Sequence, residues 1–233
     1  MGISFLVRDA QAVFLDAQEP THVPGFENNK AKFRGMFIIP PDHPAVQEFM
    51  KATAELLGPK AEKDFKTFYK KDPTPQQKFN FALELFKNME NPAWGIIEPR
   101  ADGKYADQEG MFFFKVTSSK LALYIPEPVP GEPSKTRYTR INNMGSEEWF
   151  YPGGIYSVKV DVNLFKQTSV IFTYFNGLYW RARGIPRSFA GSDEEEAPNM
   201  DDGIDVGEAP QVGNVGAGGH AADPSAYDDD IPF

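Results

Sequence analysis

The composition of this chain breaks at one point, and the break limits which residues can form a core. All 24 Lys and Arg lie before position 192, whereas the last 42 of the 233 residues hold 12 of the 33 Asp and Glu and no base. That last stretch is Gly, Pro, Ala, Asn and acid with almost no aliphatic clustering. Such a segment cannot bury enough apolar surface to offset an ordering entropy of ~1–2 kcal/mol per residue. Residues 191–233 are therefore expected to form a disordered acidic tail behind a single domain over 1–190. The net charge of −9 conceals a body with 24 bases against 21 acids and a tail at −12. A mildly basic body with an acidic tail hints at nucleic acid or self-inhibition.

The body has the means to pack, because aromatics make up 14% of the chain and 20 residues are Phe. The absence of Cys removes disulfides, thiolate metal sites and Cys nucleophiles, and suits a reducing compartment such as the cytoplasm. No apolar run approaches the ~20 residues of a spanning helix, and Met1-Gly2-Ile3-Ser4-Phe5 lacks the marks of a signal peptide, so neither membrane nor secretion is expected. The three histidines, His22, His43 and His220, fall in a loop, at a helix start and in the tail, with no ligand or triad spacing. No phosphate-binding Gly-rich loop, nucleophile elbow or His-Glu-x-x-His pair is present. Asp201-Asp202-Gly203-Ile204-Asp205 has the wrong spacing for a calcium loop, and Glu147-Glu148 reads as surface. The chain is thus expected to be no enzyme, with no catalytic residue, metal or cofactor.

Short runs rich in Val, Ile, Phe and Tyr dominate the body: Ile3 to Leu15, Lys32 to Ile39, Met111 to Thr117, Leu121 to Ile125, Ile155 to Leu164, Thr168 to Phe175 and Leu178 to Arg183. Asn176-Gly177 between the last two predicts a tight hairpin, and Pro152-Gly153-Gly154 predicts a turn or bulge. Helical spacing of Val46, Phe49, Met50, Ala54 and Leu57 predicts a helix capped by Asp42 and stopped at Gly58-Pro59. Ala61, Phe65 and Phe68 suggest another. Thr74-Pro75-Gln76-Gln77 reads as a capping box before a stripe of Phe79, Ala82, Leu83, Phe86 and Met89. The expected fold is mainly β, a small antiparallel barrel or sandwich with a helical insertion over about 42–90.

Alternation along these strands yields candidate binding residues. If Phe33, Phe37 and Ile39 point inward, Lys30, Lys32 and Arg34 line the other side. By the same reasoning Phe113 and Lys115 face away from Phe112, Phe114 and Val116, and Tyr124 faces away from Leu121, Leu123 and Ile125. Tyr179, Arg181 and Arg183 oppose Leu178, Trp180 and Ala182, and a basic loop carries Lys135, Arg137, Tyr138 and Arg140. Trp149, Phe150 and Tyr151 read either as a stacking platform or as a corner of the core. Rings that stack bases, with Lys and Arg tracking phosphates, are what a nucleic-acid single strand requires. For each residue taken alone, the plain alternative is a strand that exposes some rings and cations.

The sequence also carries resemblances. Asp228-Asp229-Asp230-Ile231-Pro232-Phe233 resembles the acidic tip of bacterial single-stranded DNA-binding proteins. That tip recruits replication, recombination and repair proteins through its final Phe carboxylate and the preceding acids, so the resemblance implies a partner-binding role for these six residues. The body resembles bacteriophage single-stranded DNA-binding proteins built on an OB-fold. The matching stretches are Lys32 to Leu57, through Ile38-Ile39-Pro40-Pro41, and Tyr151 to Arg187, with Tyr151-Pro152-Gly153-Gly154-Ile155-Tyr156, Asn176-Gly177 and Gly184-Ile185. The resemblance implies an OB-fold-like barrel that binds single-stranded DNA without sequence preference, in the cytoplasm of an infected bacterial host. The fourteen DNA-binding candidates, Lys30, Lys32, Arg34, Phe113, Lys115, Tyr124, Arg137, Tyr138, Arg140, Trp149, Tyr151, Tyr179, Arg181 and Arg183, rest on the face reasoning and not on the resemblance. An RNA-binding OB module and a structural phage protein without nucleic-acid binding stand as alternatives.

Overall fold

Among the described residues, alternating apolar positions, in at one and out at the next, build eight strands, and a break in that alternation admits two helices. The computed structural model describes residues 2–22, 30–99, 105–165 and 168–184, apart from the side chains of 132–134. In chain order the elements are β1 (Ile3–Thr21), β2 (Lys32–Ile39), α1 (Pro44–Tyr69), α2 (Pro75–Lys87), β3 (Trp94–Ile96), β4 (Phe112–Ser118), β5 (Ala122–Val129), β6 (Glu132–Ile141), β7 (Ile155–Phe165) and β8 (Val170–Ala182). A short 3-10 turn at Ala106–Gln108 precedes β4.

β1 is long enough to serve two neighbours. Its second half pairs antiparallel with β2 and its first half with β7, and the register shifts between Val7 and Ala10, where Asp9 takes φ 51. β2 pairs with β4, and β7 with β8, both antiparallel. A parallel rung, Thr117 opposite Tyr174, joins β4 to β8 and closes a ring of five strands in the order β1-β2-β4-β8-β7. This is the OB-fold-like barrel expected from the sequence. The β5–β6 hairpin lies outside the ring, attached through a parallel pairing of β5 with β8.

Aromatic rings fill the barrel. Phe37 stacks on Phe114 at 5.4 Å and meets the edges of Tyr156 and Phe175 at 6.1 and 6.4 Å. One mouth is closed by Phe49 of α1, fully buried between Phe5 at 4.8 Å and Phe114 at 5.1 Å. Trp94 of β3 ties the helices to the barrel: its ring stacks on Phe86 of α2 at 4.3 Å and its indole N–H donates to Thr53 Oγ1 at 3.0 Å.

The helices depart from expectation in two ways. α1 runs through Gly58-Pro59 to Tyr69 and absorbs the predicted third helix. A proline inside a helix costs ~3 kcal/mol. The apolar stripe does not stop there, since Leu57, Ala61 and Phe65 are all buried, and packing on α2 through Phe65 and Phe81 (5.6 Å) offsets the cost. The N-cap is His43, whose Nδ1 accepts from the Ala45 N–H at 3.1 Å, and not Asp42. The capping box of α2 forms as predicted, with Gln77 N–H to Thr74 Oγ1 at 3.2 Å and Thr74 N–H to Gln77 Oε1 at 3.0 Å.

The strands differ in two places as well. Asn176-Gly177 makes no hairpin: β8 is continuous, neither residue has positive φ, and Asn176 is the extra residue of a bulge where the pairing slips from Lys159–Gly177 to Val160–Phe175. The β7–β8 reversal lies earlier, between Phe165 and Val170. The basic segment read as a loop is β6, pairing with β5 from Leu123–Ile141 to Val129–Glu132. Prolines 126, 128 and 133 masked that hairpin in the sequence; it sits at the edge of the sheet, where missing N–H donors are tolerated.

Candidate nucleic-acid interface

Five neighbouring strands share one outer face, and register decides what stands on it. Inward-facing Tyr156, Val158, Val160 and Leu178 are fully buried, so the residues between them emerge on the other side. Across β1, β7, β8, β5 and β6 the rungs Leu6–Lys159, Ser157–Tyr179, Tyr124–Tyr179, Tyr124–Arg140 and Pro126–Tyr138 bring the outward residues side by side. Together they form a groove of about 680 Å³, walled by Ser4, Leu6 and Arg8 of β1, Lys159 of β7, Tyr179 and Arg181 of β8, and Tyr138 of β6.

Tyr179 is the centre of the groove. Tyr124 lies parallel to it at 4.5 Å and 9°, and Tyr138 meets it edge-on at 5.4 Å and 89°. A Cβ added at Gly177 would come within 3.2 Å of the Tyr179 ring, so glycine lets that ring lie flat across its own strand. Arg181 donates from Nη1 to Tyr138 Oη at 3.0 Å and from Nε to Asp9 Oδ1 at 3.4 Å. The Tyr138 bond, aided by Asp9, raises the guanidinium pKa, which keeps it charged. Burial, then the neighbouring Tyr124, raises the Tyr179 phenol, which keeps it neutral. The groove therefore presents the Tyr179 ring, with Tyr138 edge-on beside it, bordered by Arg8, Lys159 and Arg181. That combination suits a ligand alternating planar rings with anions.

Five of the fourteen predicted residues, Tyr124, Tyr138, Arg140, Tyr179 and Arg181, meet on this face. The others are dispersed. Arg34 is only 6% exposed, bound to Asp16 Oδ2 at 2.9 Å and Thr21 Oγ1 at 2.8 Å and poised over the Phe14 ring. The expected row of three cations is broken there, because β2 is central and its second face is covered by Val13 and Ile97 packed on Met36 and Ile38. Lys32 and Lys30 sit at the entry to β2. Phe113 and Lys115 lie on the outer face of β4, with Lys115 Nζ 5.7 Å from the Phe113 ring centre. Arg137 pairs with Glu127 at 3.3 Å on the opposite side of β6 from Tyr138.

Trp149, Tyr151 and Arg183 gather at the corner before β7. Phe150 is core, stacked on Tyr156 at 5.6 Å, while the Tyr156 hydroxyl accepts from Tyr151 N–H at 2.9 Å and donates to Tyr151 C=O at 2.8 Å. Gly153, at φ 99, makes the predicted turn. Trp149 meets Trp180 edge-on at 5.1 Å, and Arg183 stands 3.6 Å from Glu148. Asp228 to Phe233 lie outside the described residues. Sequence reasoning missed Ser4, Leu6, Arg8 and Lys159. The alternation Tyr156, Val158, Val160, Val162 already exposes Lys159, whereas only strand order brings the first half of β1 alongside it.

No family model matches the chain, and no curated protein matches it. Among solved structures it is similar to the single-stranded DNA-binding protein from bacteriophage Enc34 in complex with ssDNA, at 13% identity and TM-score 0.45 over 79% of this chain and 89% of that one. A C-terminal truncation of the same protein matches at 12% identity and TM-score 0.48, over 79% and 88%. The chain is also similar to gp2.5, a single-stranded DNA binding protein encoded by bacteriophage T7, at 15% identity and TM-score 0.40 over 83% and 98%.

Proposed function

We propose that this protein binds single-stranded DNA without sequence preference, in phage replication and recombination, through the groove centred on Tyr179. The observation that carries the reading is the convergence of Tyr124, Tyr179 and Tyr138 beside Arg181, Arg8 and Lys159 on one outer face. Every base has a π-face, so rings of this kind contribute ~1–3 kcal/mol per stacked base with little regard to sequence. A duplex hides those faces in its own stack, and so is a poor ligand for the groove. Phosphate contacts by Arg8, Arg140, Lys159 and Arg181 would give a log-affinity against log-salt slope of about −2.8, at ~0.7 per single-strand contact.

The acidic segment enters the proposal through its sequence. With 12 acids and no base it mimics a polyanion, and it competes for the groove when DNA is absent. Its Asp228 to Phe233 hexapeptide docks on replication, recombination and repair proteins, the Phe233 ring entering an apolar pocket and the three aspartates meeting cations around it.

The test is titration of labelled oligo-dT, oligo-U and duplex DNA over a range of salt, with the full chain and with one ending at Gly191. Tight, salt-sensitive binding of oligo-dT over both competitors supports the reading. Truncation should tighten binding most at low salt, because screening sets in over ~10 Å at 0.1 M. Equal affinity for duplex and single strand would refute the groove, and preference for oligo-U would turn the reading to RNA. An unchanged affinity after truncation at low salt would refute tail competition. Removal of Phe233 should abolish capture of a replication or repair enzyme without touching DNA affinity.

A further inference from the structure

β8 carries two aromatic groups on its outer face, and the groove uses only one. Ile171, Thr173 and Phe175 point into the barrel and are buried, which turns Phe172 and Tyr174 outward. Their rings meet at 4.9 Å and 71°, and Tyr174 remains 39% exposed. The parallel rung between Thr117 and Tyr174 sets the outer face of β4 beside them, with Lys115 two residues before Thr117. On the other flank, Asp161 stands opposite Tyr174, and its carboxylate is occupied by the Ser4 hydroxyl and the Asn176 amide. Between this pair and Tyr179, Lys159 lies opposite Gly177. The face thus reads ring, cation, ring, with both rings on β8 and the cation beside them on β7. Tyr179 lies five positions after Tyr174, roughly 13–17 Å along the strand at ~3.3 Å per residue.

We infer that Phe172 and Tyr174 form a second stacking platform, on which the DNA strand held at Tyr179 continues after passing Lys159. The inference rests on the reading of the groove proposed above. Continuity along β8 and the cations Lys159 and Lys115 commit the platform to the same strand. Its role is to lengthen the footprint, since a short oligonucleotide seated at Tyr179 does not reach it.

The experiment is a length series of oligo-dT, from ~4 to ~16 nucleotides, the span of sites on single OB-folds. It is read by anisotropy with the full chain and its Tyr174→Leu, Tyr174→Ala and Tyr179→Ala variants. Leu keeps apolar bulk at an exposed position, so one variant remains folded even where Ala perturbs the strand; thermal melting checks both. Tyr174→Leu should leave the shortest oligonucleotide that binds within about twofold of the parent. On the longest it should lose about 5- to 150-fold, the range for one stacked base. The parent should gain affinity with length where the variant does not. An equal loss at every length, or none at any, overturns the second platform. Unchanged DNA affinity with an altered sedimentation coefficient overturns it too, and assigns the rings to self-association. If Tyr179→Ala binds as the parent does while Tyr174→Leu is weakened throughout, the groove reading falls separately.

Discussion

Replacing Tyr179 with Ala removes the ring on which the groove is organised, and the consequences divide cleanly between two observables. The ring lies 4.5 Å from Tyr124 and 5.4 Å from Tyr138, and carries no charge. Loss of one stacked base costs ~1–3 kcal/mol, or about 5- to 150-fold in affinity for oligo-dT. No phosphate contact is removed, so the slope of log affinity against log salt should stay that of the parent. Arg181→Met does the reverse in part: it deletes one cation and should flatten the slope by ~0.7. Anisotropy at four or five salt concentrations separates an intercept change from a slope change. Tyr179 is half-buried at the surface of β8, so melting temperature should change little. Parental affinity in Tyr179→Ala, or a loss accompanied by a flattened slope, would refute the assignment of stacking to the ring and of phosphates to the cations.

Three further outcomes follow from the fold. Phe49→Ala should destabilise the domain by about 3–5 kcal/mol in urea unfolding, because its fully buried ring closes the barrel mouth against Phe5 and Phe114. Pro59→Ala should raise the melting temperature by restoring a helix hydrogen bond worth up to ~3 kcal/mol together with the relieved clash; a lower melting temperature would show that α1 needs its proline. Glu62 bridges Lys66 and Lys78 at 2.9 Å each, and hydrogen bonds to Lys78 and then Lys66 pull its carboxyl from 4.5 down to about 2. A depressed folded pKa contributes stability that is present above about 4.5 and is lost as pH falls toward 2. Melting of Glu62→Gln should accordingly vary less with pH across that window than melting of the parent, and parallel curves would count against the bridge.

Much of this was legible along the chain. Local signals carry local structure: the Thr74-Gln77 box starts α2, Pro152-Gly153-Gly154 turns, and alternation on each strand turned Tyr124, Tyr179 and Arg181 outward before any partner strand was known. Where two signals competed, the longer-range one won. The bulge at Asn176 outweighs its hairpin propensity because β7 offers a continuous partner, and the stripe through Leu57, Ala61 and Phe65 outweighs Pro59 because α2 covers it.

The sequence by itself determined which residues face which way, where the basic body gives way to acid, and that rings and cations recur outside the strands. Tertiary structure alone decided which outside is shared. Alternation has period two and knows only two faces, whereas closure of a barrel distributes those faces around a circle. Arg34 and Arg181 have the same pattern in sequence, yet the first is buried against Phe14, Asp16 and Thr21 of β1 and the second borders an open groove. Burial of Arg34 and exposure of Arg181 follow from the neighbours their strands acquire, and those neighbours lie tens of residues away along the chain.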